Sequence, residues 1–433
     1  MVILKFVWLI YIIQLLSYSL ISPLISDHEV GLLILIIMHS IFVFLYLLKF
    51  NKKIRFIFWG GFVGRIAVMM IDIYLRNYVS IPHSGADTER FLRRASLISD
   101  SFQTIIESQY EFFIKVVAVL FRITSNERII FQYTNVLLGF TIVYLMYLIL
   151  NTLNINKKSI LITTTITAFF PHSLFFSGIL LREIPTTFFV IASLYFLVKW
   201  YDKNRDINFY LSVLMILISA LFHSGVIGLL LGHIFIYLFY QPSIKQLNFT
   251  FRTVGFFVII SIFLMWFFGV YDWNSLAIFR KLNIDSFQDV LETSASRRGG
   301  SAYLIGLSIN NFWQFLIYTP IFILYFISSP LPFNWRGIND IFSFMLDGIF
   351  YLGISIYILF NLRKVRINHK SLAIILLVSL LGALVIFGVG VQNAGTALRH
   401  RHKLFHVFLL IFTLMRDKKI ENLDSDENSI TIL

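Results

Sequence analysis

The sequence predicts an all-α fold, a polytopic integral membrane helical bundle of roughly 12–14 spans with outer amphipathic or re-entrant segments. Two observations carry this. Of 433 residues, 58% are hydrophobic and only 14% charged, against about 25% charged in a soluble domain. The apolar residues also run together, at 3–25, 31–48, 129–150, 209–222, 254–271, 341–360 and 371–391. Each run is near the ~20 residues that cross ~30 Å of hydrocarbon as a helix. Inside lipid every backbone polar group must be satisfied within the protein, and that makes such runs helical. The short alternating segments of a β-barrel are not seen.

The first run begins at Val2 with a single Lys5 and is followed by no small-residue cleavage site. It reads as a retained span rather than a removed leader. With no cysteine in the chain, disulfides, thiolate catalysis and Cys-ligated metals are excluded. The net charge of +13 does not point to nucleic acid, because the basic residues sit in short juxtamembrane loops. There they mark topology and attract anionic lipid.

The basic loops 49–55, 151–158, 199–205, 241–252, 361–370 and 416–419 mark the cytoplasmic side. Spans between them fall in pairs, 56–75 with 129–150, 160–180 with 184–200, and 209–222 with 225–240. Between Arg252 and Arg363 three apolar segments, 253–271, 303–329 and 341–360, break the parity. A non-spanning element is expected there, with 301–329 as a hairpin or re-entrant piece, since Pro320, Pro330 and Pro332 interrupt or follow it. Three segments are then expected outside: 76–128, 272–302 with Arg297-Arg298-Gly299-Gly300, and 392–403. The membrane domain covers 1–416, and 417–433 reads as a polar, disordered cytoplasmic tail.

Four constellations have residues suited to chemistry. Gly85-Ala86-Asp87-Thr88-Glu89-Arg90-Phe91-Leu92-Arg93-Arg94 reads as an interfacial helix capped by Thr88, with Phe91, Leu92 and Ala95 toward lipid. Asp87 and Glu89 are candidate bases, and Arg90, Arg93 and Arg94 candidate phosphate ligands. Ser177-Gly178 and Arg182-Glu183 lie at an outer turn; adjacent on a helix, Arg182 and Glu183 face different partners. His223 ends the next span. Arg399-His400-Arg401-His402-Lys403 is the densest cation cluster outside the inner loops. Positive charge on the outer side is disfavoured, and a diphosphate ligand is one physical reason for it. His400, His402 and His406 do not read as a metal site, because the interleaved cations repel a metal and the spacing fits no zinc signature. Arg65 and Asp72 lie within one span, seven residues or roughly 10.5 Å apart, so each needs a different partner inside the bundle. His39 and His233 read as helix–helix hydrogen bonders, and Asn310 and Asn311 as interfacial anchors. No Walker motif and no nucleophile elbow appears.

Asp87 followed by Phe91, Ser177-Gly178 followed by Arg182-Glu183, and Phe222-His223-Ser224-Gly225 resemble the motifs of the EpsG family of Wzy-type exopolysaccharide polymerases. Phe91 replaces the usual Tyr, Glu183 the usual Gln, and Pro185 a small residue. The resemblance covers about 80–240 and, loosely, the later arginine cluster. It implies an enzyme of a multi-pass plasma membrane that joins polyprenyl-diphosphate-linked oligosaccharide units at the outer face, without a metal or other cofactor. Arg182, Arg399, His400, Arg401, Arg93 and Arg65 would then hold substrate or diphosphate, and Asp87, Glu183 or His223 would serve as base or orient the acceptor. Membrane lipids and other polysaccharide export proteins are the implied partners, not nucleic acid. A GT-C-type glycosyltransferase using a polyprenyl-phosphate sugar, with Asp87 catalytic, is the alternative. So is a lipid-linked oligosaccharide flippase, which would usually carry internal repeats not found here. An O-acyltransferase with His223 as base is a further possibility.

Overall fold

The computed structural model describes residues 2–242, 244–249, 251–256, 258–259, 301–304, 307 and 312–417. The expectations for 260–271, for 272–300 with its Arg-Arg-Gly-Gly turn, for Asn310 and Asn311, and for the tail 418–433 lie outside the described residues.

The described chain is almost wholly helical. In order the helices are α1 (Val2–Ile21), α2 (His28–Leu47), α3 (Lys52–Tyr74), α4 (Ala86–Ile98), α5 (Phe102–Glu107), α6 (Phe112–Ile123), α7 (Arg128–Thr152), α8 (Lys157–Phe169) and α9 (Pro171–Gly178). There follow α10 (Glu183–Lys203), α11 (Asp206–Phe222), α12 (Leu230–Phe239), α13 (Phe312–Ser328), α14 (Ile338–Ser343), α15 (Ile349–Asn361), α16 (Ile367–Gly390), α17 (Ala394–His402) and α18 (Phe405–Arg416). Among the described residues seven helices are long and apolar enough to cross a membrane, or up to eight if α8 and α9, bent by 44°, form one broken span. This is a multi-pass membrane protein. Four shorter apolar helices, Asp206–Phe222, Ser224–Phe239, Gln314–Ser328 and Phe405–Arg416, would have to cross as well to approach the expected dozen.

The chain divides into two compact units. The first holds Met1–Asn154, Ile160–Gly228 and Gly395–His406. Its centre is the stack of α3, α7, α10 and α11, with α9 wedged on α3 and α7. Helices α7 and α10 are buried along most of their length, whereas α1 and α2 leave Leu9, Ile13, Leu16, Ile34, Ile37 and Ile41 exposed for lipid. Apolar side chains gain little by leaving one hydrocarbon for another, so polar ties dock such helices. Trp8 Nε1 donates to Thr141 Oγ1 at 2.9 Å, and His39 meets Tyr133 Oη at 2.8 Å and the Val7 carbonyl at 3.0 Å. His39 thus bridges helices as its mid-span position implies.

The segment between α3 and α7 folds into α4–α6. The apolar stripe of α4 does not face lipid as expected. Phe91 and Ala95 are buried, α4 packs on α6, and the Phe91 and Phe113 rings meet edge-on at 4.9 Å. Periodicity shows that a helix has an apolar face, not what covers it. Nor does Thr88 cap α4. The cap position is Gly85, and the Thr88 hydroxyl, inside the first turn, donates back to the Gly85 carbonyl at 2.7 Å.

The second unit holds Ile155–Ser159, Leu229–Ala394 and Val407–Leu433. Here α16 is central, flanked by α12 and α13. The approach of α12 needs Gly232, since a Cβ there would lie 2.9 Å from the Ile375 carbonyl oxygen. Residues 301–303 run beside 392–394, with Ala302 and Asn393 in an isolated antiparallel bridge: Tyr303 N–H donates to Gln392 O at 3.0 Å and Ala394 N–H to Ser301 O at 2.9 Å. The segment expected as a hairpin is, in its described part, this stretch followed by the single helix α13, which continues through Pro320. Asp417 accepts from Asn156 N–H at 3.1 Å and Arg366 at 2.7 Å, tying the end of α18 to two basic loops.

Candidate functional site

The site lies in the first unit and is organised by a break in the α8–α9 span. Pro171 has no N–H to offer the carbonyl of Thr167, so the helix interrupts and bends there. Carbonyls bared inside a membrane need donors. Arg65, fully buried on α3, supplies them: its guanidinium donates to Gly61 O at 2.8 Å, Ala168 O at 2.9 Å, Thr167 O at 3.5 Å and Ser177 Oγ at 3.2 Å. Gly139 of α7 leaves room for this, since a Cβ would lie 2.7 Å from Arg65 Nε.

The chain after α9 is held open in the same way. Gln132 Nε2 donates to Gly178 O at 2.9 Å, and Asn135 Nδ2 to Ile179 O at 2.9 Å and Leu181 O at 3.1 Å. Gln132 also donates to Asp72 at 2.6 Å, and Asp72 pairs with Arg128 at 3.0 Å. Arg65 and Asp72 thus have separate partners, as their spacing requires. This amide and guanidinium scaffold carries the chain to Arg182 and Glu183 at the start of α10, opposite the basic loop that joins α10 to α11. Pro185 falls in the first turn of α10, where a missing N–H costs nothing.

Four other segments meet this point. Asp87 comes from α4, Glu111 from the N-terminus of α6, His223 from the end of α11, and Arg399, His400 and Lys403 from α17 and the turn after it. Arg399 donates to Asp87 at 2.7 Å, and Arg90 pairs with the other Asp87 oxygen at 3.0 Å. Arg182 pairs with Glu111 at 2.7 Å. Lys403 meets Glu183 Oε1 at 3.4 Å, both side chains buried, while Glu183 Oε2 has no hydrogen-bond partner among the described residues. His223 Nε2 lies 3.1 Å from His400 Nε2. Arg182 and Glu183, neighbours in sequence, do face different partners.

The electrostatics separate these groups by role. Burial draws the Asp87 carboxyl upward, but the hydrogen bond and charge of Arg399, with Arg90 and Arg182, outweigh it and hold Asp87 below the usual carboxylate range. Burial pushes the Lys403 ammonium down to about 7; Glu183 opposes this and Arg182 and Arg399 reinforce it. Burial and then Lys403, Arg182 and Arg399 press His223 down to about 2, so it is neutral. The Gly225 N–H donates to His223 Nδ1 at 3.3 Å. The ring proton therefore sits on Nε2 and is donated to His400. His400, pushed well below its ordinary range by burial and the same cations, is neutral too.

Several expected roles change accordingly. His223 accepts from the Gly225 N–H on one ring nitrogen and faces His400 with the other, so it is placed to orient His400. His400 brings no charge to an anion. Arg65 is committed to the helix break. Arg93 stands exposed on α4, outside the cluster. Arg401 is fully buried, and none of the ion pairs around Asp87 and Glu183 includes it. Asp87, Arg182, Glu183 and Arg399 do come together. Lys403 and Glu111 had no assigned role. Lys403 was visible as the end of the cation cluster, whereas Glu111, a helix-terminal acid in a long polar segment, had no distinguishing signal. Among the described residues no group of three or more His, Asp or Glu side chains is placed to hold a metal ion. No family model, curated protein or solved structure matches this chain.

Proposed function

We propose that this protein is a glycan polymerase of the Wzy type, which joins oligosaccharide units carried on polyprenyl diphosphate into a polysaccharide at the outer face of the plasma membrane. The observation that carries the reading is the convergence of Arg182, Arg399 and Lys403 with Asp87 and Glu183 at the end of the spans opposite the basic loops. A diphosphate leaving group needs fixed cations where its charge develops. Arg182 and Arg399 each use one nitrogen on a carboxylate, and a guanidinium has five donors, so both forks can also take phosphate oxygens.

The reaction forms a bond from an acceptor hydroxyl oxygen to the sugar anomeric carbon and breaks the bond from that carbon to the diphosphate. The diphosphate leaves with the electron pair and is held by Arg182 and Arg399. The hydroxyl proton needs a base with an affinity near the working pH. Lys403 in its neutral form fits that need, and Glu183 offers a second acceptor beside it. Asp87, held ionised, orients Arg399 and the acceptor hydroxyl.

The test is to replace Arg182, Arg399 and Lys403 singly in the native host and to size surface polysaccharide and lipid-linked precursors. Loss of polymer with single units accumulating on lipid at the outer face supports the reading. Units trapped at the inner face would make the protein a carrier, and units lacking one sugar would make it a single-sugar transferase; either overturns it.

A further inference from the structure

The second unit contains an aromatic cleft lined by residues that have no role above. It lies among the stretch at Tyr303, the end of α13 at Tyr325, and the turn 332–336, with a cavity volume of about 450 Å³. A small hollow of about 10 Å³ adjoins it and shares Tyr303, Asn334 and Arg336. We propose that this cleft is a saccharide-binding subsite that takes a neutral pyranose segment of a glycan.

One wall is aromatic and held in place. Phe333 is 73% exposed and lines the cleft beside Tyr325 and Trp335. Tyr325 stands nearly perpendicular to Phe333 at 6.2 Å and is tilted against Tyr303 at 5.3 Å, so the rings form a corner. Trp335 is fixed at both ends: Nε1 donates to Pro330 O at 3.1 Å, and the indole packs against Phe344 at 5.7 Å. Tyr303 is fixed by donating its hydroxyl to Val391 O at 2.7 Å. Rings already immobile lose little freedom when a ligand arrives.

The other wall is polar and balanced in charge. The Arg336 guanidinium reaches Ala302 O at 3.4 Å, and its backbone N–H donates to Asp340 at 2.9 Å. Asn334 lines both hollows, and a primary amide presents two donors and an acceptor. Arg336 lines the cleft and Asp340 the adjoining hollow, so the two together carry no net charge. A free phosphate would want uncompensated cations, and an acyl chain would leave the polar wall without partners. A pyranose fits both walls: its C–H face stacks on an aromatic ring by dispersion, and its hydroxyl rim both donates and accepts.

The identity of the glycan rests on the polymerase reading; the binding does not. Lipid-free oligosaccharides released from the host's surface polysaccharide would be offered to the full-length protein in nanodiscs, with binding read by saturation-transfer NMR. We expect transfer to the sugar protons for the wild type. Phe333→Ala should weaken binding at least tenfold with an unchanged melting temperature, since that ring is exposed, and Asn334→Ala should weaken it as well. The proposal is overturned if the wild type shows no transfer, if both variants bind like the wild type, or if phosphatidylglycerol alone displaces the sugar. Arg399→Ala separates the two readings. Unaltered polymer in that variant, with binding still lost in Phe333→Ala, would sink the polymerase assignment and leave the cleft standing.

Discussion

The Arg399 guanidinium donates to the Asp87 carboxylate at 2.7 Å across 312 residues of sequence. One helical turn later Lys403 meets Glu183, 220 residues away in sequence, at 3.4 Å. Two cations of one short segment thus join the start of α4 to the start of α10. The Arg399–Asp87 pair is partly solvated, with side chains 21% and 34% exposed. Pairs of that kind contribute about 0.2–1 kcal/mol to stability. Asp87→Asn should therefore barely move the unfolding midpoint, yet reduce polymer formation roughly tenfold or more by releasing Arg399 from its orientation. Thermal unfolding and polymer yield of one preparation check both halves.

The Lys403–Glu183 pair should behave differently because it is buried. Removing one partner leaves a charge without compensation, a loss of about 3–5 kcal/mol, whereas replacing both with neutral residues of similar shape is often nearly neutral. Lys403→Met should be strongly destabilised, and Lys403→Met with Glu183→Gln should regain most of the loss. Both should be inactive if the pair handles the acceptor proton. Active double-variant protein would remove it from the chemistry.

Lys403 also predicts a pH dependence. Its affinity for a proton falls from the ordinary 10.5 to about 7 in the folded protein. Between those values the unfolded chain binds more protons than the folded one, so this group makes stability rise with pH across about 7 to 10.5. Below pH 7 the full burial penalty remains. Polymer formation in proteoliposomes should likewise rise as Lys403 loses its proton near pH 7. Lys403→Arg, charged throughout, should flatten that limb of the profile.

Arg65 and Arg399 should separate cleanly as structural and functional arginines. Arg65→Met strands the carbonyls at the α8–α9 break, at about 1–3 kcal/mol for each unsatisfied group. Its melting temperature should fall well below that of Arg399→Met. Equal melting temperatures for the two would contradict the scaffold role of Arg65.

Gly178 is required by close approach. A Cβ there would lie 2.5 Å from Val68 Cγ1 and 2.7 Å from the Met69 backbone nitrogen. Gly178→Ala should cost about 1–3 kcal/mol as overpacking. Because Gly178 begins the strap that carries Arg182, polymer yield should fall more than stability. Melting and yield measured on the same variant decide this.

The sequence by itself determined the helical membrane class, the position of most spans and the need for interior partners at Arg65 and Asp72. These follow from local physics: a long apolar run has one solution in lipid, and an ionised group inside it must be paired. Hydropathy also located the outer turn at Arg182-Glu183, whereas the break at Pro171 inside 160–180 emerged only in the structure. Only the tertiary structure decided which cation meets which carboxylate. It turned the apolar face of α4 from lipid to α6, gave Arg65 to bared carbonyls rather than to an anion, and placed the His223 proton on Nε2 through one Gly225 N–H. Each outcome depends on groups tens to hundreds of residues apart arriving at one point. Periodicity within a segment describes its own faces and carries no information about which distant segment will cover them.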